Sequence, residues 1–107
     1  MSHQVVVLPE AEEDIFDIYQ YILFNDSANH AGCVLDNIER VCRSLTTMPG
    51  RGHFPPELEW IGVKSYREIH FKPYRIIYEI EGRKVFVHGV LDGRRDLQEL
   101  LEKRLLR

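Results

Sequence analysis

The sequence predicts an α+β domain in which a helical hairpin packs on one face of a four-stranded, mainly antiparallel sheet. Two adjacent segments in the first half repeat apolar residues every three or four positions, which is typical of amphipathic helices. Three segments in the second half alternate apolar and polar residues, which is typical of strands. The element order is β-α-α-β-β-β-α, and 107 residues, 44% of them hydrophobic and 29% charged, suit a single domain over residues 1–107.

The first half is predicted to hold one strand and the helical hairpin. A valine-rich run over residues 4–8 is the strand, and Pro9 ends it and suits the first turn of the following helix. That helix places acidic residues at the positive end of its dipole and has an apolar face. The face consists of Ala11, Ile15, Ile18, Tyr19, Ile22 and Leu23. A second helix is predicted over residues 28–48, where Pro49 and Gly50 stop it, and the polar turn at 25–27 makes the pair antiparallel.

The second half is predicted to be a loop, a meander of three strands and a final helix. The loop covers residues 51–62, and the strands cover 66–71, 74–81 and 84–91. Alternation on the middle strand places Arg75, Ile77 and Glu79 on the face opposite Tyr74, Ile76, Tyr78 and Ile80. Asp96 and Glu99 match a capping box that starts the last helix. This helix carries a leucine face and, being terminal, is expected to be the element least tied down.

The chain lacks the signatures of nucleotide and metal chemistry. It has no glycine-rich phosphate-binding motif, and its five histidines and two cysteines show no metal-ligand spacing. We therefore expect no cofactor and no metal. The N-terminus lacks a basic region followed by a long apolar run, and no stretch approaches the ~20 apolar residues of a membrane span, so the expected location is the cytoplasm.

Charge is distributed unevenly along the chain. Residues 1–63 hold three basic and ten acidic side chains, whereas residues 64–107 hold eleven basic and seven acidic ones. Such asymmetry predicts either a surface for an anionic partner or simply two solvated faces. The candidate target-binding residues are Lys64, Arg67, Lys72, Arg75, Arg94 and Arg95.

The residues of the same strands also suggest a second hypothesis, in which the protein is a ribonuclease. Cleavage of RNA without a metal needs a base, an acid and cations for the phosphate charge. Arg67 and Arg75 could supply the cations, and His70, His88, Tyr74 or Tyr78 could move protons. The alternative is that these are ordinary side chains of a solvated sheet face. A buried Arg75 would in that case need a partner.

Several motifs together resemble the RelE/ParE superfamily of bacterial toxin–antitoxin toxins. They are L-P-E-A-E-x-D-I (8–15), L-x-x-M-P-x-x-G (45–52), R-E-I (67–69), Y-R-I-I-Y (74–78) and V-x-V-x-G-V-L-D-G-R-R-D (85–96). The resemblance covers nearly the whole chain and implies a toxin silenced by an antitoxin. The antitoxin would cover apolar surface on the two-helix face and on the leucines of the last helix, Leu97, Leu100, Leu101 and Leu105.

The superfamily has two branches, and three features favour the ParE branch, whose members inhibit DNA gyrase. The pI near 5.9 suits a ribosome-binding nuclease poorly. Residues 91–95 hold neither the Tyr nor the His that RelE-like mRNA endoribonucleases often carry there, and the chain continues past G-R-R-D into a helix. Against this, Arg75 falls where those nucleases have a catalytic arginine, and Asp92 replaces the usual His before G-R-R-D.

We therefore expect the toxin of a plasmid stabilisation-type toxin–antitoxin module, which binds gyrase without being an enzyme and forms a hetero-oligomer with its antitoxin. The first alternative is a RelE-like endoribonuclease that acts on mRNA at the ribosome through Arg67, Arg75, His70 and His88. The second alternative is a non-toxic module that only binds antitoxin.

Overall fold

The computed structural model describes residues 2–94 and 97–106, and within them four strands form one mixed sheet in the order β1-β4-β3-β2. The strands are β1 (Gln4–Val7), β2 (Arg67–Phe71), β3 (Tyr74–Glu81) and β4 (Lys84–Asp92). The helices are α1 (Pro9–Asn25), α2 (Ala28–Arg43), α3 (Pro56–Glu59) and α4 (Gln98–Leu105). β1 runs parallel to β4 and the other neighbours are antiparallel, which confirms the predicted α+β architecture.

The helical hairpin covers one face of the sheet. Pro9 occupies the start of α1, where its missing N–H leaves no bond unmade, and Ser27 caps α2 by accepting a hydrogen bond from the His30 amide at 3.1 Å. The main core lies between the helices and the strands. It includes Ala11, Ile22, Ala31, Val34, Ile38, Leu45, Ile69, Ile76, Tyr78, Val85, Val87 and Val90.

A β-bulge in β4 explains why its core residues do not simply alternate. Ile77 pairs with Gly89 whereas Tyr78 pairs with Val87, so His88 is an extra residue on β4. The insertion changes the parity of the strand beyond this point. Val90 consequently faces the same core as Val87, although the two are three positions apart.

The second helix is shorter than predicted. α2 ends at Arg43 and continues as a 3₁₀ turn, Ser44–Thr46, in which Leu45 is still buried. The Ser44 hydroxyl donates a hydrogen bond of 2.5 Å to the Val41 carbonyl, and Pro49 disfavours a helical conformation at the residue before it. The apolar repeat thus continued beyond the helix because 3₁₀ geometry keeps Leu45 on the core side.

The second face of the sheet does not meet water. A second, smaller core covers that face and consists of Leu58, Ile77, Leu91, Leu97 and Leu101. Leu58 comes from α3, a one-turn helix within the segment predicted to be loop, where Pro56 supplies a preset first turn. The sheet is therefore packed on both faces.

The last helix is anchored, contrary to the expectation that it is loosely held. Arg104 donates to the Asp14 carboxylate at 3.0 Å and to the His88 carbonyl at 3.0 Å, while the same carboxylate accepts the Val90 amide at 3.0 Å. β1 pairs with β4 only as far as Val87, so these two side chains satisfy backbone groups that β1 does not reach. Burial raises the pKa of Asp14, and the Val90 amide and Arg104 oppose that increase.

The leucine face of α4 is only partly the exposed surface that the sequence predicted. Leu97 and Leu101 are each 1% exposed and lie in the second core, and Leu100 and Leu105 are half-buried against it. The leucine spacing reflects burial against the sheet and α3. The predicted capping box depends on Asp96, which lies outside the described residues; Leu97 precedes the helix and makes no side-chain cap.

Replacing Leu101 with alanine should lower the free energy of unfolding by about 2–4 kcal/mol, because the cavity would open in a core that cannot collapse around it. Leu106→Ala, at a position that is 40% exposed next to the same helix, should cost less than about 1 kcal/mol. Urea unfolding followed by circular dichroism measures both. Equal midpoints for the two variants would contradict the packing of α4 on the sheet.

Candidate functional site

Arg75, the residue that could have been a catalytic cation, lies at the centre of a buried ion-pair network. Its guanidinium bonds Glu68 through Nε at 2.5 Å and a terminal nitrogen at 2.8 Å. The two terminal nitrogens also bond Glu57, at 2.5 and 2.7 Å. The Arg75 side chain is 12% exposed and that of Glu68 is 1% exposed. Both carboxylates are therefore held by a bidentate geometry that only arginine provides.

The hydrogen bonds of the network favour the charged forms of Arg75 and Glu57. Its hydrogen bonds to Glu57, followed by its contacts with Glu68, raise the pKa of Arg75 despite burial. The same hydrogen bonds hold the pKa of Glu57 below its ordinary value. Every guanidinium nitrogen of Arg75 donates to a carboxylate, so within this arrangement the cation is already neutralised.

Arg67 lies on the opposite face of the sheet from Arg75. It pairs across the strands with Tyr78, a residue of the main core, whereas Arg75 pairs with His70. The Arg67 guanidinium donates to the Gly52 carbonyl at 3.0 Å and stacks 4.9 Å from the centre of the Phe54 ring. It consequently joins the segment after α2 to the sheet and does not meet Arg75.

A close contact between Tyr78 and Gly52 explains why the motif at residues 45–52 ends in glycine. The Tyr78 hydroxyl donates to the Pro49 carbonyl at 2.5 Å and accepts from the Gly52 amide at 3.0 Å. A β-carbon on Gly52 would lie 2.4 Å from that hydroxyl, so only glycine fits this close approach.

The two histidines of the predicted catalytic set lie in different places. His70 Nε2 is 3.1 Å from Glu68 Oε1, beside Arg75. His88 Nε2 is 3.1 Å from Glu79 Oε1, and its ring meets the Tyr66 ring edge-on. Arg75 and Glu79 are four residues apart on β3, about 13 Å along a strand. Arg67, His70, Arg75 and His88 therefore do not form one constellation.

Part of the predicted basic surface is assembled at one corner of the sheet. A shallow hollow of about 350 Å³ is lined by His70, Lys72, Pro73, Tyr74, Arg75, Gly93 and Arg94. Lys72 is exposed at the β2–β3 turn, and Arg94 is 71% exposed and forms a bidentate pair with Asp92 at 2.7 and 3.0 Å. Lys64 is exposed but does not line this hollow, and Arg95 lies outside the described residues.

Gly93 fits closely behind this corner. Its amide donates to the Pro73 carbonyl at 2.8 Å, and a β-carbon on it would lie 2.9 Å from that oxygen and 3.0 Å from the Arg75 stem. The glycine of the G-R-R sequence therefore lets the chain cross over Arg75. We define the Lys72 corner as Lys72, Pro73, Tyr74 and Arg94.

An open groove adjoins the Lys72 corner and reaches the tip of the helical hairpin. Its volume is about 580 Å³, and the four residues of the corner line one side of it. Ile18, Tyr21, Ile22, Asn25, Asp26, His30 and Val34 line the hairpin side. Tyr21 and nearby Phe24 are both exposed. The combination of exposed aromatic and basic side chains is typical of a protein-binding surface.

Sequence reasoning missed the two carboxylates that hold Arg75. Glu68 belongs to the R-E-I motif, and Glu57 lies in the segment predicted to be loop. The one signal available was the rule that a buried arginine needs a partner. That rule predicts a carboxylate without saying which one.

Comparisons with known proteins agree with the resemblance. A family model described as the ParE toxin of the type II toxin–antitoxin system parDE matches residues 5–97. The chain is 26% identical over 91 residues to toxin ParE3 of Caulobacter vibrioides, covering 85% of this chain and 87% of that protein. A solved structure, the chromosomal ParDE toxin–antitoxin system from P. aeruginosa, has a TM-score of 0.70 at 14% identity, covering 83% of this chain and 94% of that one. None of the helices in residues 2–94 and 97–106 is both long and apolar enough to cross a membrane.

Arg75→Ala should destabilise the fold by about 3–5 kcal/mol at neutral pH, because it leaves two carboxylates without their counter-charge. Arg75→Lys should recover only part of this, since an ammonium cannot bond two carboxylates bidentately. Urea unfolding gives both values. Arg83→Ala, at an exposed position in the β3–β4 turn, serves as the control, and an Arg75→Ala variant as stable as this control would refute the network.

The network also predicts a pH dependence. The pKa of Glu57 is lower in the folded chain than its ordinary 4.5, so its stabilising effect is fully present above about pH 4.5 and is lost as the pH falls through the folded value. Glu57→Gln should therefore be less stable than the parent at neutral pH, and the gap should narrow on acidification. Unfolding midpoints measured from neutral pH to about pH 3 test this. Exposed Glu59→Gln is the control, and a pH-independent gap for Glu57→Gln would argue against the assignment.

Proposed function

The chain belongs to the ParE toxin family of type II toxin–antitoxin systems, and we propose that it inhibits DNA gyrase by direct protein contact and is neutralised by a cognate antitoxin. Gyrase is the target that the ParE branch implies. The proposal involves no hydrolytic step by this chain. Gyrase acts on DNA in the bacterial cytoplasm, so the cytoplasm is also the proposed site of action.

One observation carries the choice of a protein contact over RNA cleavage. The Arg75 guanidinium, which a RelE-like nuclease would use against phosphate, is bound on all sides by Glu57 and Glu68. A cation stabilises a transition state only where it can face the developing charge. Arg75, which occupies the position of the catalytic arginine in RelE-like nucleases, is therefore bound by two carboxylates of its own chain.

The proposed target-binding surface is the Lys72 corner together with the adjoining groove. Lys72 and Arg94 are exposed cations in a chain whose total charge is −3, and because Asp92 pairs with Arg94, the net positive charge at this corner comes from Lys72. Such a surface attracts an acidic region of a partner and steers its approach. Asp92 holds the Arg94 guanidinium in place, and Tyr74 and Pro73 supply apolar contact beside it.

The ribonuclease alternative has one observation in its favour. His70 lies across the strands from Arg75 and lines the same hollow, so a base and a cation share one site. For that reaction, however, Arg75 would have to leave both carboxylates when RNA binds. The pulse-labelling experiment described below separates the two functions.

Because leucines at α4 are buried, the surface proposed to bind the antitoxin lies elsewhere. Leu97 and Leu101 could contact an antitoxin only if α4 left the sheet, whereas Leu100 and Leu105 are half-buried. The exposed aromatic residues of α1, Phe16, Tyr21 and Phe24, offer apolar surface on the hairpin without any rearrangement. We propose that the antitoxin covers this hairpin surface and forms a hetero-oligomer with the toxin.

Reversing the charge of the Lys72 corner should weaken gyrase inhibition. In Lys72→Glu/Arg94→Glu, inhibition of supercoiling by purified gyrase should need at least about tenfold more protein, because like charges at an interface cost several kcal/mol. Growth inhibition on induced expression should fall in parallel. The control is Arg83→Glu/Lys84→Glu, which reverses two exposed basic residues at the opposite end of β3.

Full inhibition by a folded Lys72→Glu/Arg94→Glu variant would show that the Lys72 corner does not bind the target.

Pulse-labelling of DNA and protein synthesis after induction tests the target itself. DNA synthesis should stop first if gyrase is the target. An earlier stop in protein synthesis, absent for an Arg75→Lys variant shown to be folded, would establish the ribonuclease alternative. Unaffected growth would establish a non-toxic antitoxin-binding module.

A further inference from the structure

Two histidines and a glutamate converge at the outer edge of β2. His53 lies in the segment between α2 and α3 and forms an antiparallel bridge with Glu68, with backbone N–H···O distances of 2.7 and 3.1 Å. His70 is two residues farther along β2, and its ring centre is 5.1 Å from that of His53. One potential ligand atom from each of His53, Glu68 and His70 lies within 4.8 Å of the others.

The donor set is one that binds transition metals. Two imidazoles and one carboxylate, with a water molecule in the fourth position, form a common tetrahedral site for Zn²⁺. Ligand atoms about 2.1 Å from one ion are about 3.4 Å apart, so the distances between the ligand atoms need to shorten by at most about 1.4 Å. Both imidazoles are exposed and can rotate, and their exposure also gives an ion access from solvent.

The charges around the cluster favour a cation. Glu57 and Glu68 share the single positive charge of Arg75, which leaves one negative charge in excess within this network. Arg75 fixes the Glu68 carboxylate from behind, as hydrogen-bonding partners of metal ligands commonly do. His70 Nε2 already lies 3.1 Å from Glu68 Oε1, close to the separation of about 3.4 Å between two ligands of one ion.

We propose that His53, Glu68 and His70 bind a divalent transition-metal ion, with Zn²⁺ the species that fits the donors. The ion would join the segment after α2 to the edge of β2, close a loop of moderate length and so stabilise the fold. The expectation of no metal rested on histidine spacing along the chain. Here the β-bridge brings His53 to residues that lie far from it in sequence.

Zinc binding to the purified 107-residue chain tests the site directly and does not depend on toxicity. Titration calorimetry with ZnCl₂ should give one ion per chain for the parent protein. His53→Ala and His70→Ala should each weaken binding at least about tenfold. His30→Ala is the matched control, because His30 is exposed and pairs with the Asp26 carboxylate at 2.6 Å outside this cluster.

Two further readouts keep the test independent of folding defects. Co²⁺ in place of Zn²⁺ should give visible absorption bands for the parent and His30→Ala, and not for the double variant His53→Ala/His70→Ala. Zinc should raise the unfolding temperature of the same two proteins only. A parent protein that binds zinc no better than a double variant of the same circular dichroism, or zinc binding weakened equally by His30→Ala, would overturn the proposal.

Discussion

The buried pairing of Arg75 with Glu57 and Glu68 is the interaction on which the second face of the sheet depends. Each partner comes from a different element: Arg75 from β3, Glu68 from β2 and Glu57 from α3. The Glu57 carbonyl also accepts a hydrogen bond of 3.0 Å from Gln98, which connects α4 to the same point. A buried ion pair adds little net stability over an apolar cluster, but a lone buried charge is very costly. The network therefore selects one placement of α3, because other placements leave Arg75 or Glu68 unpaired.

Covering both faces of the sheet determines which surfaces remain for partners. α4 is held near its two ends by polar contacts, Gln98 with Glu57 and Arg104 with Asp14, and between them by the buried Leu101. With that face closed, the large apolar side chains that remain exposed lie on α1 (Phe16, Tyr21 and Phe24), in the segment between α2 and β2 (Met48, Trp60 and Ile61) and after α4 (Leu106). The Lys72 corner gains its shape from the core beneath it, since Gly93 crosses directly over the Arg75 stem.

Local sequence patterns predicted the helices and strands well. The features that they did not predict depend on contacts between residues that are far apart in sequence. The hairpin and meander could be read from periodicity because each element's own apolar residues specify it, and the bounds differed mainly where 3₁₀ geometry follows α2. The leucines of α4 were visible as a stripe, but nothing in the stripe distinguishes a surface for a partner from a face packed on the same chain. The ligands of Arg75 lie 18 and 7 residues away, and the bridge that brings His53 to Glu68 exists only once the chain is folded.

The residues that carry the family resemblance are those that hold the fold together. Gly52 and Tyr78 pack the segment after α2 on the sheet, Arg67 binds the carbonyl of Gly52, and Gly93 makes room for Arg75. Because their roles are internal, a match to them establishes the fold and the family more firmly than the cellular target. Selectivity for a target must come from exposed positions such as Lys72 and Arg94. Asp92, which replaces the usual family histidine, orients Arg94, so a departure from the pattern contributes directly to the proposed binding surface.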